Sequence, residues 1–303
     1  VSNLASGQTS NSEVIGMKLA TFVAAGRPEI GAVVGEKIVP VGRALSKPPA
    51  DMMDLIARWD ALKDEVRRLA DAGAGAQALR EAELLAPIKR PGKIMAMGLN
   101  YADHVAETGA KTPEHQIWFC KQQTAVNPPF APVQIPKASS AIDYEVELVF
   151  VIGKGGRHIS KADAPNHVFG YCVGNDVSTR DWQSRTPQWV LGKSFDTHAP
   201  FGPWITTADE IGDPHRLGIR SIVNGEVRQN SNTRELIFNV FDQIAYISEA
   251  MTLEPGDIVY SGTPGGVGIG YKPARYLKAG DRVRCEIDEL GAIEAVFENE
   301  RPG

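Results

Sequence analysis

The sequence has little that would tie it to a membrane, a nucleic acid or a disulfide framework. No apolar run reaches the ~18–20 residues that a bilayer-spanning helix needs. Positive charge is not in excess: 32 Lys and Arg stand against 37 Asp and Glu, a formal charge of −5. Nucleic acids and anionic lipid surfaces call for a basic face, so neither is an expected partner. Only three cysteines occur, Cys120, Cys172 and Cys285, scattered along the chain. They make no C-x-x-C pair and no zinc spacing. They read as small buried thiols in a reducing environment, and a cytoplasmic location is the expectation. The chain also has no G-x-S-x-G nucleophile elbow and no H-E-x-x-H helix. The first sixteen residues, VSNLASGQTSNSEVIG, lack the basic start and apolar core of a signal peptide. They read as a flexible extension ahead of Met17.

What is present suits a globular enzyme. The chain has 303 residues, 43% hydrophobic and 23% charged, enough for one large domain or a main domain with a smaller partner. MKLATFV, EIGAVV and KIVPVG read as strands joined by short turns. Met52, Leu55, Ile56, Trp59, Leu62, Val66 and Leu69 recur at three- and four-residue steps, which predicts one amphipathic helix ended by DAGAGAQA. LLAPIKRPG, residues 84–92, carries two prolines and a basic pair and marks a boundary. The expected organisation is a small N-terminal domain over 17–90 and a main domain over 91–303. Strands dominate the latter. Asn224-Gly225 predicts a hairpin with a type I′ turn, and TRELIFNVFDQIAYISEAM predicts a helix. The fold class is α+β and β-rich, not doubly wound.

IDYEVELVFVIGK, residues 142–154, places Asp143, Glu145 and Glu147 at the start of an apolar strand. Strand side chains alternate faces, so Glu145 and Glu147 point the same way, about 7 Å apart. Buried and unpaired, they would cost several kcal/mol each. A divalent cation resolves the conflict, and hard oxygen ligands suit Mg²⁺, Mn²⁺ or Ca²⁺. An edge strand with its acids in water writes the same E-x-E pattern, but the apolar run after it indicates a central strand. In GYCVGNDVSTRDWQ, Asp176 ends a second apolar strand at a polar turn and offers a third carboxylate. Asp181 reads as a helix N-terminal acid or a partner of Arg180 or Arg185.

GLNYADHVAETG, residues 98–109, follows a strand, with Asn100 or Asp103 as a helix cap. His104 and Glu107 are three apart and share a helical face. A carboxylate beside an imidazole raises its basicity, which equips the pair to draw a proton from water. His115 and His198 compete less well. Lys193 lies among apolar neighbours in LGKSFDTHAPFGPW and suits a substrate carboxylate or a developing oxyanion; a surface lysine is the plainer reading. Gln183 and Arg180 are further polar candidates. SGTPGGVGIG, residues 261–270, is either a plain loop or a presenter of backbone N–H groups and the Thr263 hydroxyl to an anion. It lacks the ending and setting of a nucleotide-binding loop.

Taken in order, GLNYADHVAE, DYEVELVFVIGK, GYCVGNDVSTRDWQ, LGKSFD, VNGEVRQ and SGTPGGVG resemble the fumarylacetoacetate hydrolase family over roughly residues 92–270. The resemblance implies a mixed β-sandwich roll, with a small α/β N-terminal domain, usually assembled as a homodimer. It implies that Glu145, Glu147 and Asp176 hold Mg²⁺ or Mn²⁺ and that His104 and Glu107 activate water on a segment that closes over substrate. It further implies that Lys193 and Gln183 stabilise an anionic intermediate, with Thr263 and Arg180 as further substrate contacts. The expected substrate is a small 2-oxo or diketo acid. The expected reaction is hydrolysis of a C–C bond in an acylpyruvate-type β-diketo acid. Decarboxylation or isomerisation of a 2-oxo acid on the same site is the alternative, since a fold does not fix a reaction.

Overall fold

The computed structural model describes residues 16–108 and 111–301, so the extension predicted over residues 1–16 lies outside them except for Gly16. The strand Val146–Ile152 is buried along its whole length. It pairs antiparallel with Val168–Asn175 on one side and Ile258–Tyr260 on the other. Its two faces feed different cores. Val146, Leu148, Phe150 and Ile152 join the helix Val240–Ala250 and a five-stranded sheet that contains Gly218–Val223, Arg282–Ile287 and Gly291–Asn299. Val149 and Val151 join the opposite core, with Leu55, Ile56, Leu62 and Val66. A strand covered on both faces needs apolar residues at every position, which explains the unbroken run in its sequence.

The central sheet has twelve strands and reaches into the N-terminal segment. Lys18–Ala24 pairs with Ala199–Thr207 in the register Lys18↔Thr206 and Leu19↔Ile205. Leu19, Ile30 and Val39 share their core with Val149, Phe169 and Tyr260. The N-terminal strands therefore extend the sheet that carries the centre of the molecule.

The single helix predicted from the Met52–Leu69 periodicity is two. Met52–Ala57 starts at Asp51, whose side chain accepts the Asp54 amide, and it ends at Arg58 (φ −110°, ψ 15°). Trp59–Ala72 then runs to Gly73, which adopts the left-handed conformation that closes a helix (φ 65°). The apolar spacing carries across the break, which hides it from a periodicity argument. Asn224 and Gly225 have φ 52° and 84°, as the predicted type I′ turn requires. The whole is a strand-rich mixed α/β fold with few helices.

Strand ends converge at one edge. Val146 opens its strand opposite Asn175, which closes the neighbouring one. The 261–270 loop follows Ile258–Tyr260, and the parallel strand Ile94–Gly98 lies beside it. Glu147 pairs with Gly174, where an added Cβ would lie 2.5 Å from Val149 and 2.6 Å from the Tyr260 ring. We expect Gly174→Ala to overpack this point and to lower stability by about 1–3 kcal/mol in urea unfolding. An unchanged midpoint would contradict the packing.

Candidate metal centre

Glu145, Glu147 and Asp176 come together where the two strands end. The Asp176 amide donates to the Glu145 carbonyl at 2.8 Å, and the Glu145 amide donates to Asn175 Oδ1 at 2.9 Å. One carboxylate oxygen from each of the three lies within 4.8 Å of the others, and all three residues are buried. Glu147 lies in the strand Val146–Ile152, but Glu145 lies in the break between it and the short strand Ile142–Asp143, so the predicted alternation along one strand does not carry both glutamates; the turn after Asn175 delivers the aspartate.

Three buried cations surround this cluster. Lys193 Nζ donates to Glu145 Oε2 at 2.6 Å and Asp176 Oδ2 at 2.7 Å. Lys121 Nζ donates to Asp176 Oδ1. Arg180 reaches Asp143 Oδ2 through Nε at 2.8 Å and Glu145 Oε1 through Nη2 at 2.7 Å. Asp143 also accepts the amides of Gly268 (2.7 Å) and Ile269 (2.9 Å), which ties the glycine-rich loop to Arg180.

The electrostatics are uneven. Burial opposes the charge on Glu145, but Lys193 and Arg180 outweigh it and hold the group down at about 2. Glu147 has no cation in contact among the described residues, only the Gly262 amide at 2.7 Å. Burial, then the charges of Asp176 and Glu145, push it well above the ordinary carboxyl range. An all-oxygen cluster with one carboxylate short of positive charge fits a hard divalent cation, Mg²⁺ or Mn²⁺, with Ca²⁺ also admissible.

His104 and Glu107 stand beside this cluster on the helix Ala102–Thr108. His104 is buried, with Nδ1 3.5 Å from Glu107 Oε2. The Gly266 amide donates to both Glu107 oxygens, at 3.1 and 3.0 Å. Hydrogen bonding from His104, then from Gly266, outweighs burial and lowers Glu107 below its usual range. His104 is among the groups that lower Glu145, so it lies within electrostatic reach of the triad. Asn100 does not cap this helix. Its amide ties the preceding turn to the Phe238 and Ser261 carbonyls at 2.9 and 2.7 Å.

The remaining candidates join the same network. Gln183 Oε1 accepts from Arg180 Nη1 at 2.9 Å. The Thr263 hydroxyl donates to the Val146 carbonyl at 2.9 Å and accepts from Gln229 Nε2 at 2.8 Å. His198 bonds the Gln134 carbonyl, and burial lowers it to about 3, so it is neutral. His115 is exposed. Sequence reasoning missed Lys121 and Gln229 as site residues and gave Asp143 no separate role. Lys121 follows the apolar strand Ile117–Cys120, the same signal of a charge at a strand end that marked Asp176.

Two outcomes follow from these charges. Arg180→Met leaves buried Asp143 without its counter-charge and Glu145 with Lys193 alone, and we expect a loss of about 3–5 kcal/mol in denaturant unfolding; wild-type stability would contradict the pairing. Glu147 has a raised pKa, so its contribution to stability is present at low pH and is lost as pH rises through that value. A cation displaces the proton. Mn²⁺ binding should therefore tighten with rising pH and release protons in weak buffer, and Glu147→Gln should abolish the release. Binding that ignores pH would sink this assignment.

Residues 93–298 match the family described as Fumarylacetoacetate (FAA) hydrolase C-terminal. The chain is 42% identical over 290 residues to the mitochondrial oxaloacetate tautomerase of Xenopus laevis, covering 94% of this chain and 91% of the relative. It is 44% identical over 247 residues to a mitochondrial oxaloacetate tautomerase of Homo sapiens, covering 81% and 79%. It superposes with a TM-score of 0.80 and 33% identity on maleylpyruvate hydrolase from Sphingobium sp. SYK-6 in complex with manganese(II) and pyruvate, covering 94% of this chain and all of that one. The mitochondrial relatives overturn the cytoplasmic expectation. Scattered cysteines argue against an oxidising compartment, but they do not distinguish one reducing compartment from another. The fold, the buried carboxylates and these matches place the chain in the fumarylacetoacetate hydrolase family.

Proposed function

We propose that the protein is a divalent-metal-dependent tautomerase of small 2-oxo dicarboxylic acids of the oxaloacetate type. The observation that carries this reading is one proton-handling pair, His104 and Glu107, beside one buried carboxylate triad. Moving a proton between carbon and oxygen needs those two parts and no more. The higher identity to tautomerases than to the maleylpyruvate hydrolase supports it.

Glu145, Glu147 and Asp176 are the residues that would hold the cation, whose contribution when bound is to polarise the 2-oxo group as a Lewis acid. His104 takes a proton from the carbon next to that group, and Glu107 stabilises the imidazolium. The C–H bond breaks, its electron pair moves towards the carbonyl oxygen, and His104 returns the proton to that oxygen to give the enol. Lys193, bonded to Glu145 and Asp176, adds positive charge that would favour the developing oxyanion. Arg180 and Thr263 act at one remove, since their bonds hold Glu145 and the Val146 backbone. With a divalent cation added, four buried carboxylates and three buried cations leave one positive charge in excess, which favours a dianionic substrate.

Hydrolysis of an acylpyruvate is the second reading. The same pair suits activation of water, and the manganese-bound maleylpyruvate hydrolase is a structural relative. Products separate the two, and decarboxylation as well. With Mn²⁺ the protein should speed the loss of oxaloacetate enol absorbance without forming pyruvate, and EDTA should abolish this. His104→Ala should lower kcat by about 10²–10⁴-fold while Mn²⁺ binding and melting stay unchanged. Pyruvate and a carboxylic acid from an acylpyruvate would install the hydrolase instead, and pyruvate with CO₂ from oxaloacetate the decarboxylase. Full turnover by His104→Ala would remove the pair from the mechanism.

A further inference from the structure

We infer that Lys121 is a positioning residue for the carboxylate centre: its ammonium fixes the orientation of Asp176 and thereby sets the affinity for a divalent cation. The inference rests on the metal-dependent reading above. Lys121 continues the strand Ile117–Cys120, and its amide donates to the Ile94 carbonyl at 2.9 Å, so its backbone is held by the central sheet. Its side chain is fully buried. The ammonium donates to Asp176 Oδ1 and, at 3.2 Å, to the carbonyl of Val177. Contacts to two consecutive residues fix the ammonium against the turn that carries Asp176.

The two lysines at this centre have separate tasks. Lys193 bridges Asp176 Oδ2 and Glu145 Oε2 and lies 4.9 Å from the centre of the Phe119 ring. Lys121 makes, among the described residues, no direct bond to Glu145 or Glu147. Its direct ion pair is with Asp176, while Glu145 and Lys193 feel its charge at longer range. An ammonium is costly to bury, and a methionine at the end of an apolar strand would not be. Water is excluded here, so nothing replaces the donor if it is removed. Groups that orient a metal-binding carboxylate from behind change affinity by about 10- to 100-fold when deleted.

The test is a calorimetric titration of the intact chain with Mn²⁺, alongside circular dichroism and kcat at saturating Mn²⁺. Lys121→Met should fold and bind Mn²⁺ about 10- to 100-fold more weakly, with kcat at saturation little changed. Lys121→Gln keeps a donor towards Asp176 and should fall between that variant and wild type. Wild-type affinity in either folded variant overturns the proposal. So does a lowered kcat at saturation with unchanged affinity, which would put the ammonium on the substrate. If the methionine variant does not fold, the glutamine variant decides by the same outcomes. If neither folds in excess Mn²⁺, the residue serves folding and the proposal fails. Wild type and Glu147→Gln are titrated in parallel. No Mn²⁺ binding by wild type would sink the metal reading itself, which is distinct from a failure confined to Lys121.

Discussion

The structure depends on keeping four carboxylates buried at one strand edge. Asp143, Glu145, Glu147 and Asp176 lie within a short span of backbone that the sheet holds rigidly. Uncompensated, that concentration of charge would outweigh the stability of an ordinary domain. Arg180, Lys193 and Lys121 compensate it, each fully or almost fully removed from water. The compensation is incomplete at Glu147, which bonds the Gly262 amide and has no cation in contact among the described residues, and that imbalance suits a divalent cation.

The surrounding fold is arranged to keep this edge still. The strand that carries Glu147 is packed on both faces, so that carboxylate stands on a backbone with little freedom to move. To the carboxylates the glycine-rich loop contributes backbone amides. Gly262 bonds Glu147, Gly268 and Ile269 bond Asp143, and Gly266 bonds Glu107. One loop therefore ties the carboxylate cluster to Glu107 and, through it, to His104. Gly266 has φ 99° and an added Cβ would lie 2.0 Å from the Arg228 carbonyl, so no larger residue can present that amide to Glu107.

Much of the site was legible in the sequence because its residues break a local pattern. Acids at the head of an apolar strand, an aspartate at the end of another, and a histidine three residues before a glutamate are each contradictions that a site resolves. Lys121 was passed over because a lysine ending a strand is ordinarily a surface residue, and only the packing of Ile117–Cys120 against the central sheet buries it. Gln229 lay inside a recognised stretch, but its contacts to Val146, Thr263 and Pro264 span more than eighty residues in one case and over thirty in the others, beyond any local signal. The break at Arg58 was invisible because apolar spacing continued through it. The compartment was misjudged because thiol chemistry reports redox state, not address.

If Glu145, Glu147 and Asp176 hold one divalent cation, it can be seen directly. Crystals grown with Mn²⁺ and measured at a wavelength where manganese scatters anomalously provide that test. A single anomalous peak is expected between the three carboxylates, with Lys121 still bonded to Asp176. A peak elsewhere, or none at this cluster in crystals that retain activity, would contradict this assignment.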